Sequence, residues 1–266
     1  MNSRFAMLAV AAAVAIVTLQ GPGCQKMDEQ LYESAEELLE HRKYKEAEKK
    51  LTFLVNQYPE SPIAAKAYFK LGEMEYFFFK KPEAALDNFV HAARADKKGK
   101  TGLEAQKHIA EIYLNHMRNH ELAILQYQRI IRDFKGMVEA DEFHYMIAQA
   151  YYGKRDYKQA IIEYQNMLDM FPDSKLREDG MHSIATCYFV DGQLEEAMNQ
   201  YLAFLIKYKS SKHDYDARMS LAMVYEGLDQ PTKALNVYSY LAEKYPDHPM
   251  AGRKVDILAE RMKDQK

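Results

Sequence analysis

An internal period constrains this chain more than any other feature. In the segment KYKEAEKKL the small residue Ala47 sits among charged neighbours. The same setting returns at Ala85, Ala123, Ala160, Ala197 and Ala234, at intervals of 38, 38, 37, 37 and 37 residues. Four residues after each stands a large side chain: Leu51, Phe89, Tyr127, Tyr164, Tyr201 and Tyr238. Eleven after each come Tyr58, Asp96, Phe134, Phe171, Tyr208 and Tyr245, an aromatic except at Asp96, with Pro59, Pro172 or Pro246 following three of them. Units repeated on this length scale stack in a row, because one unit alone cannot bury its apolar face.

A second series runs in step with the first: Ala35, Gly72, Ala110, Ala148, Ala185 and Ala222. Just before these stand Ser34, Leu71, Ile109, Ile147, Ile184 and Leu221, and three residues after the last four stand Tyr113, Tyr151, Tyr188 and Tyr225. Apolar residues three and four apart mark one face of an α-helix. Each repeat is therefore expected to be a pair of amphipathic helices joined by a short polar break, such as Gly153-Lys154-Arg155-Asp156 or Asp191-Gly192-Gln193. The second helix ends at the aromatic turn, since Pro cannot continue a helix. A small residue facing a large one lets two backbones approach while the ring fills the gap. Residues 251–263, with Val255, Leu258, Ala259 and Met262 at helical spacing, predict a single capping helix at the open end.

Residues 1–23 follow a different grammar. Arg4 precedes an uncharged run from Phe5 to Leu19, shorter than the roughly 20 residues that span a bilayer as a helix, so a cleaved secretory leader is expected. Cys24, placed after Gly23, resembles the lipidated cysteine of bacterial lipoproteins, although Gly21 stands where that motif usually has Leu. The resemblance implies an acylated Cys24 and a membrane-anchored domain from residue 24 to residue 266. The other cysteine, Cys187, then has no disulfide partner and reads as a small buried apolar residue.

With 36 basic and 39 acidic residues and a formal charge of -3, the chain has no overall positive field for phosphate backbones, and nucleic acid is not an expected partner. Catalytic signatures are missing from the sequence. It has no Gly-rich phosphate loop and no GxSxG turn, and His116 and His120, four apart, lack the Glu of a zinc-binding HExxH motif. They read as surface histidines. No cofactor, metal or catalytic residue is implied, and the chain is not expected to be an enzyme.

The pattern of small then aromatic in the first helix, Ala then aromatic in the second, and Pro at the end resembles the tetratricopeptide repeat, over about residues 27–249. That resemblance implies an all-α, right-handed solenoid of six helix pairs, with helices or turns longer than in the usual 34-residue unit. It also implies a concave surface lined by the first helices. Transferred position by position, the partner-binding groove comprises Tyr32, Phe69, Glu73, Tyr76, Glu111, Tyr145, Tyr152, His182 and Phe189, with Leu114, Gln149 and Thr186 on the same stripes. An aromatic at helical spacing more often belongs to the core than to a ligand site, and the tyrosines three after each first-helix anchor are assigned to the core. The groove is aromatic and acidic, suited to a protein segment with apolar and cationic side chains.

Within this class, the stretch from Leu31 to Ala92 resembles the opening repeats of the β-barrel assembly lipoprotein D family of the outer membrane. This resemblance implies a lipid-anchored scaffold on the periplasmic face of the outer membrane, touching barrel-assembly partners. The alternatives are a tetratricopeptide pilotin that binds a secretin, a Tol-Pal or cell-division coordinator, and a soluble periplasmic location.

Overall fold

A computed structural model describes the main chain of residues 22–264 and the side chains of residues 27–263. The leader lies outside these residues apart from its last two, and so does the Cys24 side chain. The described chain forms helices in antiparallel pairs: α1 (Pro22–Glu40) with α2 (Tyr44–Gln57), α3 (Ala64–Glu73) with α4 (Pro82–Ala95), and α5 (Lys100–Glu111) with α6 (His120–Asp133). The series continues with α7 (Ala140–Gly153) and α8 (Tyr157–Met170), α9 (Arg177–Val190) and α10 (Leu194–Lys207), and α11 (Asp214–Gly227) and α12 (Pro231–Lys244). A single helix, α13 (Pro249–Asp264), closes the stack. No described helix is long and apolar enough to cross a membrane.

Both anchor series are buried throughout, and so is every large residue four after a second-helix anchor. At Gly72 the fit is explicit, since an added Cβ would lie 2.7 Å from the ring of Phe89. The ring of a second helix thus occupies the space left by the small residue of the first helix in its own repeat. The tyrosines assigned to the core pack there: Tyr113, Tyr151 and Tyr188 are half-buried against it and Tyr225 is fully inside.

The alternation of 37 and 38 residues has a backbone cause. The step between the two anchors of a repeat is twelve residues in four repeats and thirteen in repeats 2 and 3 (Gly72 to Ala85, Ala110 to Ala123). Those two repeats end their first helix in a π-helical turn, Met74–Phe78 and Ile112–His116. There Phe79 N donates to Met74 O and Met117 N to Ile112 O, both at 3.0 Å. The bond closing the loop then spans six residues, Lys81 N to Glu75 O and Asn119 N to Tyr113 O, against five for Asp156 N to Tyr151 O. The extra residue is absorbed as a bulge, which leaves the packing register intact.

Every turn within a repeat carries one residue in the left-handed region: Arg42 (φ 57°), Lys80 (57°), Arg118 (50°), Arg155 (62°), Gly192 (78°) and Asp229 (55°). These close the first helices in the manner of a C-terminal cap, a position that favours glycine. Turns between repeats hold an aromatic just after the second helix, except at Asp96. In three of them a serine also reaches back one repeat, Ser61 to Asp28, Ser174 to Asp141 and Ser211 to Glu178. The last repeat uses ions instead. Buried Asp214, the first residue of α11, accepts from Lys244 Nζ (2.9 Å), Tyr245 Oη (2.8 Å) and Arg218 Nε (3.0 Å).

Two stability outcomes follow from these contacts. Arg155→Gly relieves a left-handed side chain and is expected to raise unfolding free energy by about 0.5–1 kcal/mol in urea titration. For Asp214, burial alone would raise the carboxyl pKa, but the bonds from Lys244, Tyr245 and Arg218 outweigh it and hold the pKa below the ordinary value. The associated stabilisation is present above pH of about 4 and is lost as pH falls below that value through the depressed folded pKa. Asp214→Asn is expected to cost about 3 kcal/mol at neutral pH and to flatten the acid limb of the stability curve.

Candidate functional site

A cleft of about 410 Å³ opens between repeats 3, 4 and 5, where three successive pairs turn their first helices to one side. Leu114 and Asn115 enter it from the π-turn after α5, Gln149 and Tyr152 from α7, and His182, Ser183 and Thr186 from α9. His120 from α6 and Tyr164 from α8 complete its wall. These positions recur at helical spacing, so stacking in register brings them together.

The cleft has an apolar body with polar atoms spaced along it. Tyr152 is partly exposed and meets Tyr157 edge-on at 5.4 Å between ring centres. Tyr145 stands behind the wall, its ring 5.3 Å from Tyr164 and its hydroxyl 3.4 Å from Ser183 Oγ. Thr186 Oγ1 lies 3.2 Å from the hydroxyl of Tyr201. Two imidazole nitrogens, His120 Nδ1 and His182 Nε2, are buried without a hydrogen-bond partner. Gly153 makes room for the first of these, since a Cβ there would come within 2.5 Å of the His120 ring. His182 stacks on His213 at 4.5 Å between ring centres, and His213 Nε2 lies 2.7 Å from Asp179 Oδ1. Burial, then the adjoining His213, push the pKa of His182 down to about 4. At neutral pH its ring is therefore uncharged, with one donor and one acceptor nitrogen. Polar atoms left unpaired in this way are free to hydrogen-bond to water or to a guest that brings its own donors and acceptors.

Of the groove residues read from the sequence, Tyr152 and His182 line this cleft and Tyr145 supports it. Tyr32, Phe69, Glu73, Tyr76 and Glu111 belong to a separate region over repeats 1–3. There the Tyr76 hydroxyl meets His116 Nε2 at 2.8 Å, joining the two π-turns. Phe69 sits 5.5 Å from Phe89 and 5.7 Å from His108. Glu73 is paired with Lys70 at 2.6 Å and Glu111 with His108 at 3.1 Å. Burial, followed by Glu36 and Glu73, pushes the pKa of Tyr32 up. Phe189 packs against the C-terminal core.

Three walls of the cleft were not legible in the sequence. Asn115 and Ser183 lie on the first-helix stripe between the transferred positions, whereas Tyr164 is the buried packing ring that its spacing implies and also borders the cleft. His120, read as a surface residue, is half-buried with its ring in the cleft. His116 is exposed and turned to Tyr76, so the two histidines do not converge. Among the described residues no group of three or more His, Cys, Asp or Glu side chains is placed to hold a metal ion. Cys187 is buried, and burial, with a smaller contribution from Asp191, pushes its thiol up to about 12, which leaves it protonated and unreactive.

Residues 113–175 and 216–248 each match a tetratricopeptide repeat model. Solved structures agree on the fold. The C-terminal part of a tetratricopeptide repeat-containing protein from Cytophaga hutchinsonii is 17% identical with a TM-score of 0.63, over 86% of this chain and 85% of that one. A tetratricopeptide repeat protein from Parabacteroides merdae is 16% identical with a TM-score of 0.59, over 81% and 79%. PilW, described as a widely conserved type IV pilus biogenesis factor, is 11% identical with a TM-score of 0.56, over 88% and 99%. No curated protein matches the chain significantly. The described residues form an all-α solenoid of the tetratricopeptide type, with six helix pairs and a terminal helix.

The low pKa of His182 has a measurable consequence. An unfolded histidine titrates near 6.5 while the folded one titrates near 4. The unfolded chain therefore binds more protons between those values, and stability is expected to fall as pH drops through that window. His182→Phe should flatten this slope in denaturant titrations repeated across pH.

Proposed function

We propose that the protein is a non-catalytic scaffold that captures a segment of a partner protein along its first-helix face. The observation that carries this reading is the cleft at repeats 3–5, where unpaired nitrogens of His120 and His182 stand beside the apolar surfaces of Leu114 and Tyr152. An extended segment offers that combination, because its backbone amides pair with buried imidazoles while an apolar side chain covers the ring and the leucine. Placement on the periplasmic face of the outer membrane, through an acylated Cys24, remains the finer part of the proposal. There the scaffold would serve β-barrel assembly, the role implied by the resemblance of residues Leu31 to Ala92.

A second reading is the pilotin alternative, with a secretin as partner; the fold likeness to PilW, a type IV pilus biogenesis factor, is compatible with it. Copurification from native cells in mild detergent, read by mass spectrometry, separates the two. A barrel-assembly component supports the first reading and a secretin supports the second, while a soluble enzyme as the sole partner removes both. Tyr145→Ala with Tyr152→Ala is expected to weaken capture by more than about 1 kcal/mol with helical content retained. Unchanged capture removes the cleft as the binding site. Cys24→Ser is expected to release the protein from membranes in carbonate-washed fractions.

A further inference from the structure

The repeat pattern fails in one place between units, at Asp96, where the other five turns hold an aromatic residue. Phe134, Phe171, Tyr208 and Tyr245 pack their rings onto the core. Asp96 instead folds its carboxylate forward onto the start of α5, accepting from Thr101 N (3.1 Å) and Gly102 N (3.2 Å). Beside this turn a cleft of about 410 Å³ lies over α4, α5 and α6, sharing Ala93, Lys97, Gln106 and Arg129 with a second hollow of about 280 Å³. Its floor is Ala93 and the buried amide of Gln106, which bonds to Gln126.

The walls of this cleft are cationic. Lys97, Lys98, Arg129 and Arg132 line the first hollow, and Arg94 joins from the second. The lining carboxylate, Asp133, lies 2.8 Å from Arg132 Nε and 3.3 Å from Arg129 Nε. Arg94, Lys97 and Lys98 make no ion pair among the described residues. Asp96 is committed to the helix start. Five cations against the carboxylates of Asp133 and the adjoining Asp96 leave a local excess of three positive charges on a chain whose formal charge is -3. Like charges gathered around one hollow repel, and a bound polyanion removes that repulsion. Guanidinium groups favour oxyanions with several acceptor oxygens because they bond in a two-pronged fashion.

We propose that this cleft is a binding site for a phosphate monoester or diester group, carried by a lipid head group or by a small soluble ester. It lies apart from the first-helix cleft and does not depend on the function proposed for that cleft. Calorimetric titration of the full detergent-solubilised chain at low ionic strength, with glycerol 3-phosphate as the soluble probe, tests the site. Flotation with phosphatidylglycerol vesicles, against phosphatidylcholine vesicles as reference, tests the lipid source. Saturable binding of either probe that weakens with added salt is expected, and the probe that binds identifies the source. Lys97→Glu with Lys98→Glu is expected to reduce that binding at least about tenfold, and Lys97→Gln to reduce it less, with helical content unchanged. Lys158→Glu, an exposed charge reversal on α8, is expected to leave it unchanged. Absence of saturable binding to both probes, or an equal loss in Lys158→Glu, would overturn the proposal.

Discussion

The contact on which the rest of this molecule depends is that between a small residue of each first helix and the large residue of its partner helix. Gly72 against Phe89 shows its tolerance, since a single added methyl group would lie 2.7 Å from the ring. Tyr201 and Tyr238, at the same position in later repeats, are fully buried. Because each ring is held on all sides, its far end is held as well. The Tyr238 hydroxyl donates to Glu226 at 2.6 Å, and that of Tyr201 reaches Thr186 at the edge of the cleft. One side chain therefore sets helix spacing at its root and presents a polar atom at its tip.

A solenoid of this kind tolerates local change because each repeat touches chiefly its neighbours. Repeats 2 and 3 carry an extra residue and absorb it in a π-turn, with exposed Phe77 and Phe78 displayed on the first of these turns. The junction between the same repeats has Asp96 in place of an aromatic, and a cation-lined hollow lies beside it. Neither change disturbs the buried anchors. The departures from periodicity thus fall where they alter surface and cavity while the packing rule is kept.

Much of the architecture was legible in the sequence, because the small and large residues that drive helix packing recur at fixed intervals and need only one-dimensional spacing to be seen. The thirteen-residue steps at Gly72 and Ala110 were likewise present in the numbers, but their expression as π-turns depended on hydrogen bonds that no spacing specifies. The groove was only partly legible. Glu73 and Glu111 read as acidic groove residues, yet Glu73 is paired with Lys70 and Glu111 lies beside His108. His120 read as a surface side chain, because its burial depends on Gly153, which lies 33 residues further along the chain.

The sequence by itself determined six helix pairs, their anchors, the aromatic caps of five of them and the terminal helix, because each follows from local periodicity and from what proline and small side chains permit. Only the tertiary structure decided which faces meet. It joined Leu114, Tyr152 and His182 across three repeats into one cleft, and gathered Arg94, Lys97, Lys98, Arg129 and Arg132 around another. The physical reason is that a cavity is set by the distances between helices after packing, and those distances depend on every ring and every small residue between them.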